Sequence, residues 1–298
     1  MLDRESTFAN PEIVNFLTDN VVPVAIDQAY QRRQKDTEGE FYRKIVNQSP
    51  RKDFGNQTTQ GLYMAAADGR FLGYTNHRSP ERVMRMLNEA WSIRTTTNSS
   101  ALSNVTVDRQ FNPELPRGGV EIRVQARILG GYDEPETQFE RIFQTSLSRD
   151  NLWVTAQEHK QLVAGEVADS LATRIARYHL VDNTRGEPPM WRTSEIRSSK
   201  YSIVNGKLTG RVELSTESGD RSYSCDLLGT IEHDDTAITR FDVVALGQFS
   251  GEGRYTRNAP KKPFPLGISF TLSDGTDLAD GIPPQGSRGW LDGYLKLR

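Results

Sequence analysis

The sequence predicts an α/β domain followed by an α+β domain built on a large antiparallel sheet. Three observations support this fold class. Residues 1–94 switch between helix-like and strand-like apolar patterns, whereas residues 119–298 contain long runs in which apolar and polar side chains alternate. Residues 95–118 begin with a polar run and end at the first of two glycines, Gly118-Gly119, which is typical of a linker. Strict alternation indicates strands with one buried and one solvated face.

The composition excludes several classes of function. The 298 residues carry 37 Lys and Arg against 39 Asp and Glu, a net charge of −2. Nucleic acid is therefore excluded as a partner, because binding to a phosphate backbone requires a basic surface. No apolar run approaches the roughly 20 residues that span a bilayer, which excludes membrane insertion. The N-terminus lacks an apolar signal segment, so we expect a cytoplasmic protein, or a periplasmic or secreted one if Met1 is not the native start.

Three helices are predicted in the first domain from their start signals. Asn10-Pro11 begins the first, because asparagine caps free N–H groups and proline fits the first turn; this helix ends near Asn20. Thr37 begins the second with the spacing of a capping box. Ser79-Pro80 begins the third in the same way as the first. Apolar residues at helical spacing follow each start, which predicts one buried face per helix.

Three strands are predicted between these helices. The short apolar run 21–26 is typical of a strand that is buried on both faces. Residues 61–66 and 70–74 flank Asp68-Gly69. Both turn positions accept positive φ, so this pair predicts a tight β-hairpin.

This order of elements resembles the thioredoxin-like family. The most telling parts are the run ESTFANPEIVNFL at 5–17 and VAID at 24–27, which are similar to the segment that follows the active site in several members. The hairpin at Asp68-Gly69 is similar to the family's penultimate strand pair. Two departures stand out: no Cys-x-x-Cys precedes the run, and Gln60-Gly61 occupy the place of the family's cis-proline.

The missing cysteines limit what the resemblance implies. Exchange between a dithiol and a disulfide needs one sulfur to attack and one to resolve the mixed disulfide. The chain has a single cysteine, Cys225, which lies outside this domain. The resemblance therefore implies a non-redox, N-terminally incomplete thioredoxin-like domain, or else a truncated relative of thiol–disulfide oxidoreductases.

The second domain is predicted from alternation and from two helix signals. Residues 120–128 alternate strictly, and the same period recurs over 208–214 and 241–249. Thr155 begins a capping box, and 170–180 carries apolar residues on one side of a helix. An antiparallel, largely meandering sheet with helices on one face follows from this pattern.

The densest group of polar residues lies in the segment 179–191, which leaves a helix and is stiffened by two prolines. His179 is a candidate base and Arg185 a candidate anion clamp, accompanied by the carboxylates of Asp182 and Glu187. The alternative is structural: the charged residues pair with each other, and Trp191 packs into the core. The sequence is compatible with both interpretations.

A ligand pocket is predicted if three loop segments, 179–191, 247–255 and 283–290, converge. Its candidate ligand-binding residues are Trp191, Gln248, Glu252, Arg288 and Trp290. No metal site and no cofactor are expected, because the four histidines lack metal-ligand spacing and the glycine-rich segment 247–255 lacks the ending of a phosphate-binding loop. The parity of Cys225 places it on a buried face.

Together these patterns favour a non-redox binding protein with an unknown protein or small molecule as its partner. One alternative is an enzyme, hydrolytic by default, with its site at His179–Trp191. The other alternative is the truncated oxidoreductase relative.

Overall fold

The computed structural model describes residues 6–52, 59–95 and 104–296. These residues form two compact units, the first within Asp3–Pro113 and the second within Glu114–Arg298. Each unit has its own apolar core.

Part of the segment that we predicted as a linker is anchored on the first unit. The backbone N–H of Asp108 donates to the carboxylate of Asp36 over 2.7 Å. The carboxylate of Asp108 in turn accepts from the backbone N–H of Lys35 over 2.9 Å. The unit boundary follows Pro113, within the predicted linker 95–118. Residues 96–103 of the predicted linker lie outside the described residues.

The first unit contains short helices around one hairpin. Its described helices and strands are α1 (Pro11–Asn20), α2 (Gln28–Gln31), α3 (Thr37–Asn47), β1 (Leu62–Ala65), β2 (Phe71–Thr75) and α4 (Pro80–Ser92). The side chain of Asn10 caps α1 by accepting from two backbone N–H groups, and Ser79 caps α4. Helix α3 is capped one residue earlier than predicted: the carboxylate of Asp36 accepts from the N–H of Gly39 over 2.8 Å. The core contains residues from α1, the hairpin and α4: Ile13, Met64, Leu72, Val83, Met86, Leu87 and Ala90.

The predicted buried strand at 21–26 is wrong. The segment has no regular secondary structure, and Val22 is 87% exposed. Val24 and Ile26 are also exposed. Among the described residues no strand pairs with this segment. A strand needs a neighbour to satisfy its N–H and C=O groups, so a β-prone sequence alone does not form one.

The second unit is built on a seven-stranded, curled antiparallel sheet, which confirms the sheet predicted from alternation. Its strands are β3 (Val120–Ile128), β4 (Asp150–Val154), β5 (Ile196–Val204), β6 (Lys207–Ser215), β7 (Ser222–His233), β8 (Ile238–Ser250) and β9 (Phe264–Leu272). The spatial order is β4-β3-β9-β8-β7-β6-β5. Strands β5 to β9 form the predicted meander, and β9 then pairs with β3.

The helices of the second unit are α5 (Gln138–Thr145), α6 (Ala156–Val163), α7 (Asp169–Arg174) and α8 (Leu291–Leu295). Apolar residues of α6 and α7 join the core on the inner face of the sheet, whereas Tyr294 of α8 packs against Trp153 of β4 in a separate cluster. Helix α7 continues into a π-helical segment, Ile175–His179. The helix predicted at 170–180 is thus present, but its last turns are wider than an α-helix. Such segments are rare and occur mostly as single turns within α-helices.

The sheet is closely packed where β7 and β8 meet. Gly247 of β8 has no space for a side chain, because a Cβ there would lie 1.9 Å from the carbonyl oxygen of Ser224. The inner face alternates with the outer one along each strand, so that Val243 and Ala245 are buried while Val244 and Leu246 are exposed.

Candidate functional site

His179, the candidate base, lies at the end of the π-helical segment inside a buried polar network. Its Nε2 is 2.9 Å from the hydroxyl oxygen of Tyr294, and its Nδ1 is 3.3 Å from Oδ2 of Asp150. The Tyr294 oxygen also accepts from the backbone N–H of Trp153 over 3.3 Å. When Tyr294 donates to Nε2, the proton of His179 is on Nδ1, which lies near the Asp150 carboxylate without forming a hydrogen bond.

The order of Asp150, His179 and Tyr294 is that of an orienting carboxylate, a base and a hydroxyl. Its surroundings do not suit catalysis, however. The side chain of His179 is 0% exposed, and Tyr294 is completely buried. A substrate cannot reach either group while α8 is in place. In this conformation the network connects α8 to β4 and to the π-helical segment.

A second buried network was not found from the sequence. Arg174 of α7 donates to the carboxylate of Glu158 over 2.7 Å, and its other N–H groups donate to the carbonyl oxygens of Trp153, Tyr294 and Leu295. Burial opposes ionisation of Glu158, but the hydrogen bond and the charge of Arg174 outweigh it and lower the pKa of that carboxyl. The capping box identified Glu158 as a helix-start residue, but nothing local marks its pairing with Arg174.

Asp182 and Arg185 form a buried ion pair within the segment 179–191. Asp182 also accepts from the hydroxyl of Thr184 over 2.7 Å, and Arg185 donates to the carbonyl oxygen of Arg257 over 3.3 Å. Glu187 is exposed. The candidate anion clamp is therefore already paired with a carboxylate of its own segment.

Trp191 is a core residue. Its indole N–H donates to the carbonyl oxygen of Leu180 over 2.8 Å, and its ring packs against Phe249. The guanidinium carbon of Arg221 lies 3.9 Å from the centre of the ring. With 1% of its surface exposed, Trp191 has no face left for a ligand.

Two of the three loop segments, 179–191 and 247–255, are in contact with each other. Gly186 and Gly253 allow the first two segments to approach each other closely, because a Cβ at either position would overlap the opposite segment. The third segment contacts the π-helical segment instead, where Gly286 lies against the ring of Tyr178.

The remaining candidate residues do not point into a common cavity. Gln248 is exposed on the outer face of β8, and Glu252 is exposed and accepts from the backbone N–H of Ala259 over 3.2 Å. Trp290 is 70% exposed beside Gly293, and Arg288 is half-buried.

A cluster of charged residues joins β3, β4 and the loop after β9. Asp280 is buried and accepts from Arg123 over 2.9 Å, and it also pairs with Arg149. Glu121 lies beside this cluster and accepts from the indole N–H of Trp153 over 3.1 Å. Burial raises the pKa of Glu121 to about 7, with a smaller contribution from the charge of Asp280. The sequence signal for this cluster was weak, because its members are far apart in the chain.

An apolar patch lies on the outer face of the sheet. It consists of Leu129, Leu228, Val244 and Leu246, hereafter the outer stripe, which are between 48% and 63% exposed. Leu228 pairs directly with Val244 across β7 and β8, and Leu246 pairs with Gly267 of β9. Leu129 covers Gly267, since its Cδ1 lies 3.1 Å from the place of a Cβ there. The four side chains are therefore contiguous across the centre of the sheet.

Other reactive features are scarce in the described part of the chain. Cys225 is buried, and burial raises the pKa of its thiol to about 12. In the ranges 6–52, 59–95 and 104–296, no group of three or more His, Cys, Asp or Glu is placed to hold a metal ion. Within the same ranges, none of the helices has the length and apolar character required to cross a membrane.

Comparisons with protein-family models, with curated proteins and with solved structures found no match to this chain.

Proposed function

We propose that the chain is a non-enzymatic binding protein that recognises another polypeptide through the outer stripe. The observation that carries the proposal is the contiguous exposure of four large apolar side chains at the centre of a sheet face. Contiguous exposed apolar patches on soluble folds mark interaction surfaces more often than scattered apolar residues do. Polar and charged residues surround the stripe, as at the rim of a protein–protein interface.

We also propose that the first unit is a thioredoxin-like domain without redox function. The order of α1, α3, the β1–β2 hairpin and α4 supports this assignment, and the strand that the resemblance places at 21–26 is not formed. The chain's one cysteine lies in the second unit, so the first unit has no sulfur for thiol–disulfide exchange. Burial of His179 and the internal pairing of Arg185 favour binding over hydrolysis as the role of the second unit.

The proposal is tested by comparing three forms of the purified, tagged protein. They are the wild type, the stripe variant L228S/L246S and the control V22S/V24S, which replaces two apolar residues of the first unit that are more exposed than those of the stripe. Each form is used to capture proteins from an extract of the source cells. Captured proteins are identified by mass spectrometry and then purified for direct binding measurements.

We expect a partner that binds the wild type and V22S/V24S with similar affinity and binds L228S/L246S at least about tenfold more weakly, a loss of about 1.4 kcal/mol. A partner that binds all three forms equally contradicts the proposed site. Circular dichroism of each form shows whether a variant has lost its fold.

A further inference from the structure

We infer that the partner of the outer stripe is a second copy of this chain, packed face to face through a two-fold axis. This inference rests on the proposed function, since it names the occupant of the same surface. Two antiparallel sheets pack face to face at about 10 Å, with the apolar side chains of both faces interdigitating. A two-fold interface is formed by the same patch on both copies, so it requires a face that is complementary to itself.

The charges around the stripe have this self-complementary character. Arg211 pairs with Asp226 over 2.9 Å on one side of Leu228. On the other side, Arg240 pairs with Glu232 over 3.1 Å and with Asp242 over 2.6 Å. A face with charge of one sign would favour a partner of the opposite sign. On this face positive and negative side chains alternate. A second copy can therefore place its positive side chains opposite negative ones of the first, and its negative side chains opposite positive ones.

The register of β6 specifies the orientation of the two copies. Lys207, Thr209, Arg211 and Glu213 share the outer face of β6, and Thr209 and Arg211 pair with Leu228 and Asp226 of the neighbouring strand. A two-fold axis that runs across the strands at the level between Thr209 and Arg211 exchanges the two ends of this row. Lys207 of one copy then faces Glu213 of the other, and the stripes overlap.

The outer stripe alone is too small to form a whole interface. A specific interface buries about 800 Å² on each partner, which is more than four apolar side chains provide. The charged residues of β6, β7 and β8 beside the stripe must therefore be included, and these are the residues whose signs alternate. An interface with a small apolar centre and a charged rim predicts reversible association.

The test is sedimentation equilibrium of the full chain from about 0.1 to about 100 µM. We expect the wild type and V22S/V24S to form dimers with the same dissociation constant, and L228S/L246S to weaken dimerisation at least about tenfold. A wild type that stays monomeric at every concentration overturns the homodimer. Dimerisation of L228S/L246S with unchanged affinity also overturns it, because the dimer then uses another surface.

Charge reversal provides a test that does not depend on apolar substitutions. K207E places two like charges opposite each other in the dimer and is expected to weaken it about three- to tenfold, whereas K207E/E213K restores the attraction and the wild-type affinity. Equal weakening by both variants overturns the proposed orientation. If the wild type is monomeric but captures another protein in a stripe-dependent manner, the homodimer fails and the proposed function stands. Absence of both dimerisation and capture contradicts both proposals.

Discussion

The guanidinium of Arg174 donates to the carboxylate of Glu158 over 2.7 Å, and both side chains are almost completely buried. The remaining N–H groups of Arg174 donate to carbonyl oxygens in β4 and at the end of α8. One cation thereby joins four parts of the second unit: α6, α7, α8 and β4. A buried ion pair is tolerated when both charges are fully paired, but removing one member leaves an unpaired buried charge that lowers the free energy of unfolding.

Replacement of Arg174 by methionine is therefore expected to lower the free energy of unfolding by about 3–5 kcal/mol, because Glu158 is left as an unpaired buried charge. Urea denaturation followed by circular dichroism measures this change. R211M is the matched control, since Arg211 is half exposed in its pairs with Glu213 and Asp226 and is expected to contribute less than about 1 kcal/mol. Equal losses for the two variants would show that Arg174 is not a buried anchor.

Removal of the Tyr294 hydroxyl is expected to destabilise the second unit by about 1–3 kcal/mol. In Y294F, the backbone N–H of Trp153 loses its acceptor and Nε2 of His179 loses its donor, while the packing of the ring is retained. Thermal denaturation compares Y294F with Y255F, in which the altered hydroxyl is on an exposed side chain. A Y294F protein as stable as the wild type would contradict the assigned hydrogen bonds.

The local elements of the fold were predictable because their signals are contained in a few neighbouring residues. Asn10 and Ser79 cap helices through N–H groups two or three positions along the chain, and such contacts depend little on the rest of the fold. The alternation in 120–128 depends only on which face is buried. The run 21–26 was misassigned because strand formation depends on a neighbour that no local pattern can guarantee.

The site residues were harder to predict because their roles depend on contacts between distant positions. In the sequence, His179 and Arg185 are polar residues near a loop. Only the fold shows that His179 is hydrogen-bonded to Tyr294 and that Arg185 forms an ion pair with Asp182. The sequence did contain a signal for the outer stripe, as an exception within the alternating pattern of β8. In β8, Val244 and Leu246 are apolar at positions where the pattern requires polar side chains, and this exception is the evidence for an interaction surface.

Cys225 is expected to be unreactive in the folded protein. Its side chain is buried between β6 and β8, and the pKa of about 12 leaves almost no thiolate at neutral pH. Titration with a disulfide reagent such as DTNB should detect no thiol under native conditions and one thiol per chain in denaturant. Rapid native labelling would show that β7 opens readily, and would contradict the closely packed sheet.

Glu121 is expected to make the stability of the protein depend on pH between about 4.5 and 7. Its pKa is raised to about 7 in the folded chain, from an ordinary value near 4.5, mainly because the carboxyl is removed from water. In this interval the folded state holds a proton that the unfolded chain has released. Stability from this group is therefore complete below about pH 4.5 and is lost as the pH rises through about 7.

The neighbouring carboxylates do not obscure this effect. Arg123 and Arg149 pair with Asp280 and Asp277, and both of these acids have pKa values below the ordinary one despite the burial of Asp280, so they are ionised throughout the interval. E121Q keeps an acceptor for the indole N–H of Trp153 but cannot ionise. The difference in unfolding free energy between E121Q and the wild type should thus grow in favour of E121Q from pH 5 to pH 8. A difference that stays constant over this range would show that Glu121 titrates as an ordinary exposed carboxylate.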